Sequence, residues 1–241
     1  MTNVMLIVRR ELSSYFTTLT GYVVAAVMLA ICGLLFNTVA LGGTAKYSEE
    51  VLRMFFYFMS GTVMVGAIFL SMRLLAEERQ NGTLTVLYTS PVSDWQIVVG
   101  KYLSALVFLA VIVGISLYMP ALIFVNGKVS VGHIFAGSLG LVLLGSASVA
   151  IGTFGSAVTR SQVVAAAVSG ALIVTFLLMW KLAKIANPPL DDIFGAMSLF
   201  DKHFQPAMKG IVNLRDVVFY LSVTFFFLLS TTKIIEARRW R

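Results

Sequence analysis

Six long apolar runs follow one another along the chain and are separated by short polar segments. A helix needs roughly 20 mostly apolar residues to cross a bilayer, and each run is long enough. None of the runs carries Asp or Glu in its middle. The pattern therefore predicts six transmembrane helices, over residues 21–41, 54–75, 102–125, 131–158, 163–183 and 217–235.

A shorter segment with a different pattern precedes the first run. In residues 2–16 the apolar side chains of Val4, Val8, Leu12 and Phe16 recur every four residues, and Arg10 falls on another face. This spacing is typical of an amphipathic helix that lies in the membrane interface. We therefore expect residues 1–18 to form a surface helix rather than a span.

The composition agrees with a membrane protein. Of the 241 residues, 59% are hydrophobic and 12% are charged, which excludes a disordered chain, a disulfide scaffold and a water-soluble enzyme core. The basic residues behind the net charge of +7 cluster at the ends of apolar runs rather than in one stripe, so no nucleic-acid partner is predicted. Cys32 is the single cysteine, and His133 and His203 lie far apart, so we predict no metal site.

The distribution of basic residues predicts the topology. An even number of spans places both termini on one side, and the basic residues of the termini and of the loops after spans two and four fall on that side. These residues are Arg9, Arg10, Arg73, Arg79, Lys101, Arg160, Lys233, Arg238, Arg239 and Arg241. By the positive-inside rule both termini are predicted to be cytoplasmic. The fold class expected is a single all-α transmembrane domain over residues 1–241, with an N-terminal interfacial helix and six spans.

The fourth and fifth runs are rich in small residues. Such residues usually allow close helix packing, and a lining for a translocation path is the alternative. The residues concerned are Gly137, Gly140, Gly145, Ser148, Gly152, Ser156, Ala166 and Gly170.

The loop over residues 76–99, between spans two and three, has the most specific pattern. Gly82 follows Asn81 and predicts a helix stop, and Pro91 predicts a second break. Between these breaks a short helix over residues 83–88 would expose an apolar edge formed by Leu84, Leu87 and Tyr88. Ser93 and Gln96 form a capping box that begins the next helix. The segment is either an amphipathic loop or a plug for a groove in a cytosolic partner.

The loop over residues 186–216 carries a second amphipathic pattern. Ile193, Met197, Phe200 and Phe204 recur at steps of three and four residues after the break at Pro188. We predict an interfacial helix on the outer leaflet, with a lid over an exit path as the alternative.

The loop motifs resemble those of ABC-2-type transporter permeases, and in particular the gliding-motility-type branch and the permease of the nitrous-oxide-reductase maturation system. The motifs are Glu77-Glu78-Arg79-x-x-Gly82-Thr83-Leu84 and Ser90-Pro91-Val92-Ser93-x-Trp95-Gln96-Ile97-x-x-Gly100-Lys101. Further matches occur at Arg10-Glu11-Leu12, at Thr159-Arg160-x-Gln162, at His203-Phe204 and at Arg215-Asp216-Val217. The resemblance extends over essentially the whole chain.

The resemblance implies roles for these positions. Residues 1–18, with Arg9, Arg10 and Glu11, would be the elbow helix along the inner leaflet. The segment with Thr83, Leu84, Leu87 and Tyr88 would be the coupling helix that docks on a cytosolic ATPase. Glu77, Glu78 and Arg79, at its base, would pair with the elbow through Arg9 or Arg10, or with the ATPase, and the turn at Arg160 would be a second contact.

The resemblance also implies partners and a location. The partners would be a cytosolic ABC ATPase, which binds ATP and Mg²⁺, a second permease copy or a related permease, and membrane lipid. The location would be the bacterial cytoplasmic (inner) membrane, and the activity would be export. No Gly-x-x-x-x-Gly-Lys-Ser/Thr phosphate loop occurs in the sequence, so ATP would be bound by the partner and this chain would carry out no catalysis.

Three other functional classes differ from a permease in what their sequences require. An ion-coupled transporter generally has ionisable groups at the membrane midplane, and these runs have none there. An intramembrane enzyme would need a paired Asp, a zinc motif or a Ser-Lys pair within the spans. A membrane anchor that transmits force or signal from an ATPase, without moving a solute, stays open on the sequence. Solute flux in liposomes would distinguish that anchor from a transporter.

Overall fold

The computed structural model describes residues 3–42, 47–82, 92–126, 129–188 and 190–239, and the regular structure within these ranges is helical. The helices are α1 (Asn3–Thr17), α2 (Leu19–Leu35, continued by a π-helical segment, Phe36–Leu41), α3 (Ser48–Ser71), α4 (Ala76–Gln80), α5 (Asp94–Ser116), α6 (Tyr118–Asn126), α7 (Val131–Val158), α8 (Gln162–Ile185), α9 (Leu190–Met197), α10 (Gln205–Met208) and α11 (Leu214–Arg239).

Six helical segments in the described ranges are long and apolar enough to cross a membrane, which confirms the predicted architecture. They are Leu19–Leu41, Ser48–Gln80, Asp94–Ile123, Val131–Val158, Gln162–Ile185 and Leu214–Arg238. The third begins earlier than the apolar run because the predicted capping box is present: Ser93 Oγ accepts from the Gln96 amide at 3.4 Å, and Gln96 Oε1 accepts from the Ser93 amide at 3.3 Å.

Helix α7 is the centre of the bundle and packs against α3, α5, α8 and α11. Its small residues allow these close approaches. A Cβ added at Gly152 would lie 1.8 Å from Ser71 Oγ of α3, and one added at Gly145 would lie 2.6 Å from Leu109 Cδ2 of α5. These contacts support the packing interpretation of the small-residue pattern.

The end of the bundle opposite α1 differs from the sequence prediction. Helix α9 ends at Met197, so the predicted helical run from Ile193 to Phe204 is not one helix. Ile193 is exposed, whereas Phe204 is fully buried in the core. The prediction of a continuous helix was wrong because Phe204 lies in a turn and packs against α7 near Gly140. Its apolar side chain is required by burial in the core and not by the periodicity of a helix.

A buried His–Asp pair holds that turn to α11. His203 Nδ1 lies 2.8 Å from Asp216 Oδ1, and His203 Nε2 lies 3.1 Å from the carbonyl oxygen of Ala196. The second carboxylate oxygen accepts from Asn213 Nδ2 at 3.1 Å. No sequence pattern predicts a role for His203 or Asp216, because only the folded turn brings the two side chains together.

Candidate functional site

The N-terminal helix α1 packs against α5, at the end of the bundle where α3 gives way to α4. Gly100 allows this approach, since a Cβ there would lie 2.8 Å from Ile7. The Tyr15 ring stacks on Phe108 at 5.0 Å between centroids, and its hydroxyl donates to the Leu70 carbonyl at 3.1 Å. Helix α1 is therefore fixed against α3 and α5, and it presents Glu11 toward the interior.

The buried ammonium group of Lys101 joins helix α1 to the base of the loop between the second and third spans. Lys101 Nζ lies 2.8 Å from Glu78 Oε1 and 3.1 Å from Glu11 Oε1, with the side chain only 3% exposed. Arg10 also contacts both carboxylates, at 2.8 Å from Glu11 and 3.7 Å from Glu78. We call Arg10, Glu11, Glu78 and Lys101 the charged cluster.

The electrostatics of the charged cluster favour the ionised form of the Glu11 carboxylate. Burial alone would raise the pKa of Glu11, but the charges and hydrogen bonds of Lys101 and Arg10 outweigh burial and lower that pKa below its ordinary value of 4.5. An intact buried ion pair generally contributes little to the free energy of unfolding. Removing one partner alone lowers that free energy by about 3–5 kcal/mol when the other charge is left buried without a partner.

Ser156 of α7 holds the break between α3 and α4. Residues 72–75 form turns, and a break of this kind leaves backbone amides without helical partners. Ser156 Oγ accepts from the amides of Leu75 at 3.0 Å and Ala76 at 2.9 Å, and it donates to the Met72 carbonyl at 3.0 Å. This hydroxyl fixes the direction in which α4 leaves the bundle.

Arg79 connects the loop base to the turn between α7 and α8. Its Nη1 donates to the Thr159 carbonyl at 3.0 Å, and Arg238 of α11 donates to the adjacent Val158 carbonyl at 2.9 Å. Cations at the C-terminal end of α7 also interact favourably with the helix dipole. The sequence predicts two separate ATPase contacts, the loop after the second span and the turn at Arg160. Arg79 joins the base of that loop to this turn, and Arg160 lies exposed beside the bond.

The three charged residues at the loop base have different partners. Glu78 pairs with Arg10 of the elbow, Glu77 pairs with Arg73 at 2.9 Å one turn earlier, and Arg79 binds backbone. The expectation of pairing with the elbow thus holds for Glu78 and Arg10. Arg9 is exposed and forms no ion pair with the described part of the chain.

Both flanks of the loop have the predicted local structure. Gly82 has a φ of +70°, the left-handed conformation that ends a helix, directly after α4. The capping box at Ser93 begins α5 on the other side. The residues predicted to form the coupling helix, Thr83, Leu84, Leu87 and Tyr88, and the predicted break at Pro91 lie outside the described residues.

Sequence reasoning missed the central roles of Lys101 and Ser156. Sequence patterns alone predict that Lys101 is a topology charge and that Ser156 is a small packing residue. The position of Lys101 directly before a long apolar run is one signal, since it places a lysine where the helix enters the bundle. A lysine is rarely buried unless it is paired, so a buried lysine at this position would predict acidic partners. No comparable signal exists for Ser156, because its partners are about 80 positions away.

The arrangement connects elements rather than performing a reaction. Through the charged cluster, Ser156 and Arg79, helix α4 is bonded to α1, α5 and α7. A displacement of the loop that follows α4 would therefore act on three helices together.

The six spans and this joined loop base define a multi-pass membrane protein. The family model for the ABC-2 family transporter protein matches residues 33–238, and the chain belongs to that family. The chain is thus a permease subunit of the ABC-transporter type. Members of this family are generally non-catalytic membrane subunits that normally work with a cytosolic ATPase. No curated protein matches the chain. The gliding-motility-type and nitrous-oxide-maturation assignments stay predictions.

Proposed function

We propose that this permease is an exporter subunit driven by a separate cytosolic ATPase, which contacts the loop over residues 76–99. The observation that carries the proposal is the charged cluster, since buried Lys101 bonds the base of that loop to the elbow. The apolar edge of Leu84, Leu87 and Tyr88 would fill a groove on the ATPase. ATP and Mg²⁺ would be bound entirely by that partner.

The ion pairs and hydrogen bonds of α4 suggest how a movement of the ATPase would be transmitted to the spans. When nucleotide closes the ATPase pair, the loop moves, and Glu78 transfers the displacement to α5 through Lys101 and to the elbow through Arg10. Arg79 transfers it to the turn between α7 and α8. Nucleotide would thus bias the permease between two conformations, as any ligand does that binds one state better.

The proposal requires a defined orientation and assembly. Both termini and the loop after the second span would face the cytoplasm of a bacterium, with the protein in the cytoplasmic membrane. Two permeases, identical or related, would pair with two ATPases. The basic residues near the elbow, the loop base and the end of α11 support this orientation.

The coupling helix is tested by charging its apolar edge. In the double substitution Leu84→Asp and Leu87→Asp, two carboxylates would have to enter the groove without partners, so we expect the ATPase to be lost from the purified complex. The measurement is the amount of ABC ATPase that co-purifies with the tagged permease from native membranes, at equal permease yield.

Leu214→Asp is the matched control, because Leu214 is an exposed leucine at the opposite end of the bundle. It should retain the ATPase at the wild-type level. If the double variant also retains the ATPase at that level, the assignment of the coupling helix is wrong.

A further inference from the structure

An apolar groove runs between α2 and α3, at the depth of the membrane. It forms a cavity of about 540 Å³, lined by side chains that include Val27, Met28, Ile31, Met64 and Phe69. The rest of the described chain covers little of the first span, Leu19–Leu41, since only 22% of its most apolar stretch is buried. In a bilayer such a groove is filled by hydrocarbon.

A second cavity, of about 310 Å³, continues the groove toward the elbow. Val23, Val24 and Phe69 line both cavities, so the two share walls. At the elbow end the lining becomes polar, with Thr20, Arg73, Glu77 and Gln162. The combined space has an apolar body and one polar mouth.

The polar mouth presents both signs of charge side by side. Arg73 Nε donates to Glu77 Oε2 at 2.9 Å, and an Arg73 guanidinium nitrogen also donates to the Thr20 hydroxyl. Both side chains keep open surface after pairing, with Arg73 20% and Glu77 34% exposed. A guanidinium favours phosphate oxygens, and a carboxylate favours an ammonium group.

We propose that this groove binds a phospholipid with an amine headgroup, of the phosphatidylethanolamine type, from the leaflet on the elbow side. One acyl chain lies between α2 and α3, the phosphate is bound by Arg73, and the ammonium is bound by Glu77. An anionic lipid without an amine would leave the Glu77 carboxylate facing a like charge. The site depends on the membrane location of the chain and not on the ATPase, so the two proposals fail separately.

The test is lipid retention by the full chain. The protein is purified in detergent from mixed micelles containing equal amounts of phosphatidylethanolamine and phosphatidylglycerol with the same acyl chains, and the retained lipid is quantified by mass spectrometry. Wild type should retain phosphatidylethanolamine in several-fold excess. Glu77→Gln should abolish that excess while total lipid changes little, and Val24→Phe, which fills the groove, should lower total lipid.

Glu236→Gln is the matched control, since Glu236 pairs with Lys233 at 2.8 Å on an exposed face away from the groove. It should retain the wild-type excess. The proposal is overturned if wild type retains both lipids in the proportion supplied, or if Glu77→Gln keeps the excess. It is equally overturned if wild type retains no lipid because a second copy of the chain covers the groove.

Discussion

At the residue scale, Lys101 illustrates how one buried cation determines the structure around it. Its side chain is 3% exposed and contacts two carboxylates from different elements. The resemblance to the permease family implies that Glu78 pairs with Arg9 or Arg10, but no sequence pattern indicates that Lys101 contacts Glu11 and Glu78. Helix α5 approaches α1 closely at the neighbouring position, since a Cβ added at Gly100 would lie 2.8 Å from Ile7.

Removing this cation should destabilise the protein. In Lys101→Met the carboxylates of Glu11 and Glu78 lose the buried ammonium between them, while the largely exposed Arg10 stays beside both. We therefore expect a loss of up to about 3–5 kcal/mol in the free energy of unfolding. Denaturant unfolding of the purified permease measures it. Lys233→Met is the control, because Lys233 is exposed and its surface pair contributes at most about 1 kcal/mol. Equal effects of the two substitutions would show that the charged cluster is not a structural unit.

The charged cluster should also make stability depend on pH. Because the pKa of Glu11 lies below its ordinary value of 4.5, its contribution to stability is complete above that value and is lost as the pH falls through the folded-state pKa. The melting temperature of Glu11→Gln should therefore decline less steeply than that of wild type below pH 4.5. Glu50→Gln, which changes an exposed glutamate, should follow wild type. Parallel curves for Glu11→Gln and wild type would contradict the assignment.

At the element scale, apolar run length was sufficient to predict the spans and local motifs were sufficient to predict their caps. The six spans follow from apolar runs of roughly 20 residues, and the stop at Gly82 and the capping box at Ser93 follow from patterns of a few residues. The break at residues 72–75 was missed because the hydroxyl that stabilises it, Ser156, comes from α7. The end of α9 was missed because tertiary burial of Phe204 imitates helical spacing.

The close contact of α7 with α3 gives a test of the packing at the break. In Gly152→Ala the new methyl group would lie 1.8 Å from Ser71 Oγ and 2.6 Å from Ser71 Cβ. Rotation of the hydroxyl cannot relieve the contact with Cβ, so α3 and α7 must move apart, and we expect a loss of about 1–3 kcal/mol in the free energy of unfolding. Denaturant unfolding measures it.

Gly170→Ala is the matched control, since the nearest atom to its new methyl group is Ile68 Cδ1 at 3.8 Å. It should be neutral or slightly stabilising, because alanine is the better helix former. A neutral Gly152→Ala would mean that the contact between α3 and α7 is looser than described.

At the scale of the whole molecule, α7 connects two polar centres at opposite ends of the bundle. One end carries Ser156 and the carbonyl groups that bind Arg79 and Arg238. At the other end His133 Nε2 lies 2.8 Å from the Met208 carbonyl oxygen, near the turn that His203 and Asp216 hold. Sequence patterns predicted the bundle but not this connection, because the contacts of Arg79, Arg238 and His133 join residues 75 to 80 positions apart in the chain.

If an ATPase drives this permease through the loop after α4, position 87 must lie against that ATPase in the assembled complex. Site-specific photocrosslinking measures this contact, with a photoreactive amino acid replacing Leu87 in the complex in native membranes and position 214 as the control. We expect an adduct with the cytosolic ABC ATPase from position 87 and none from position 214. An ATPase adduct from both positions, or from neither, would contradict it.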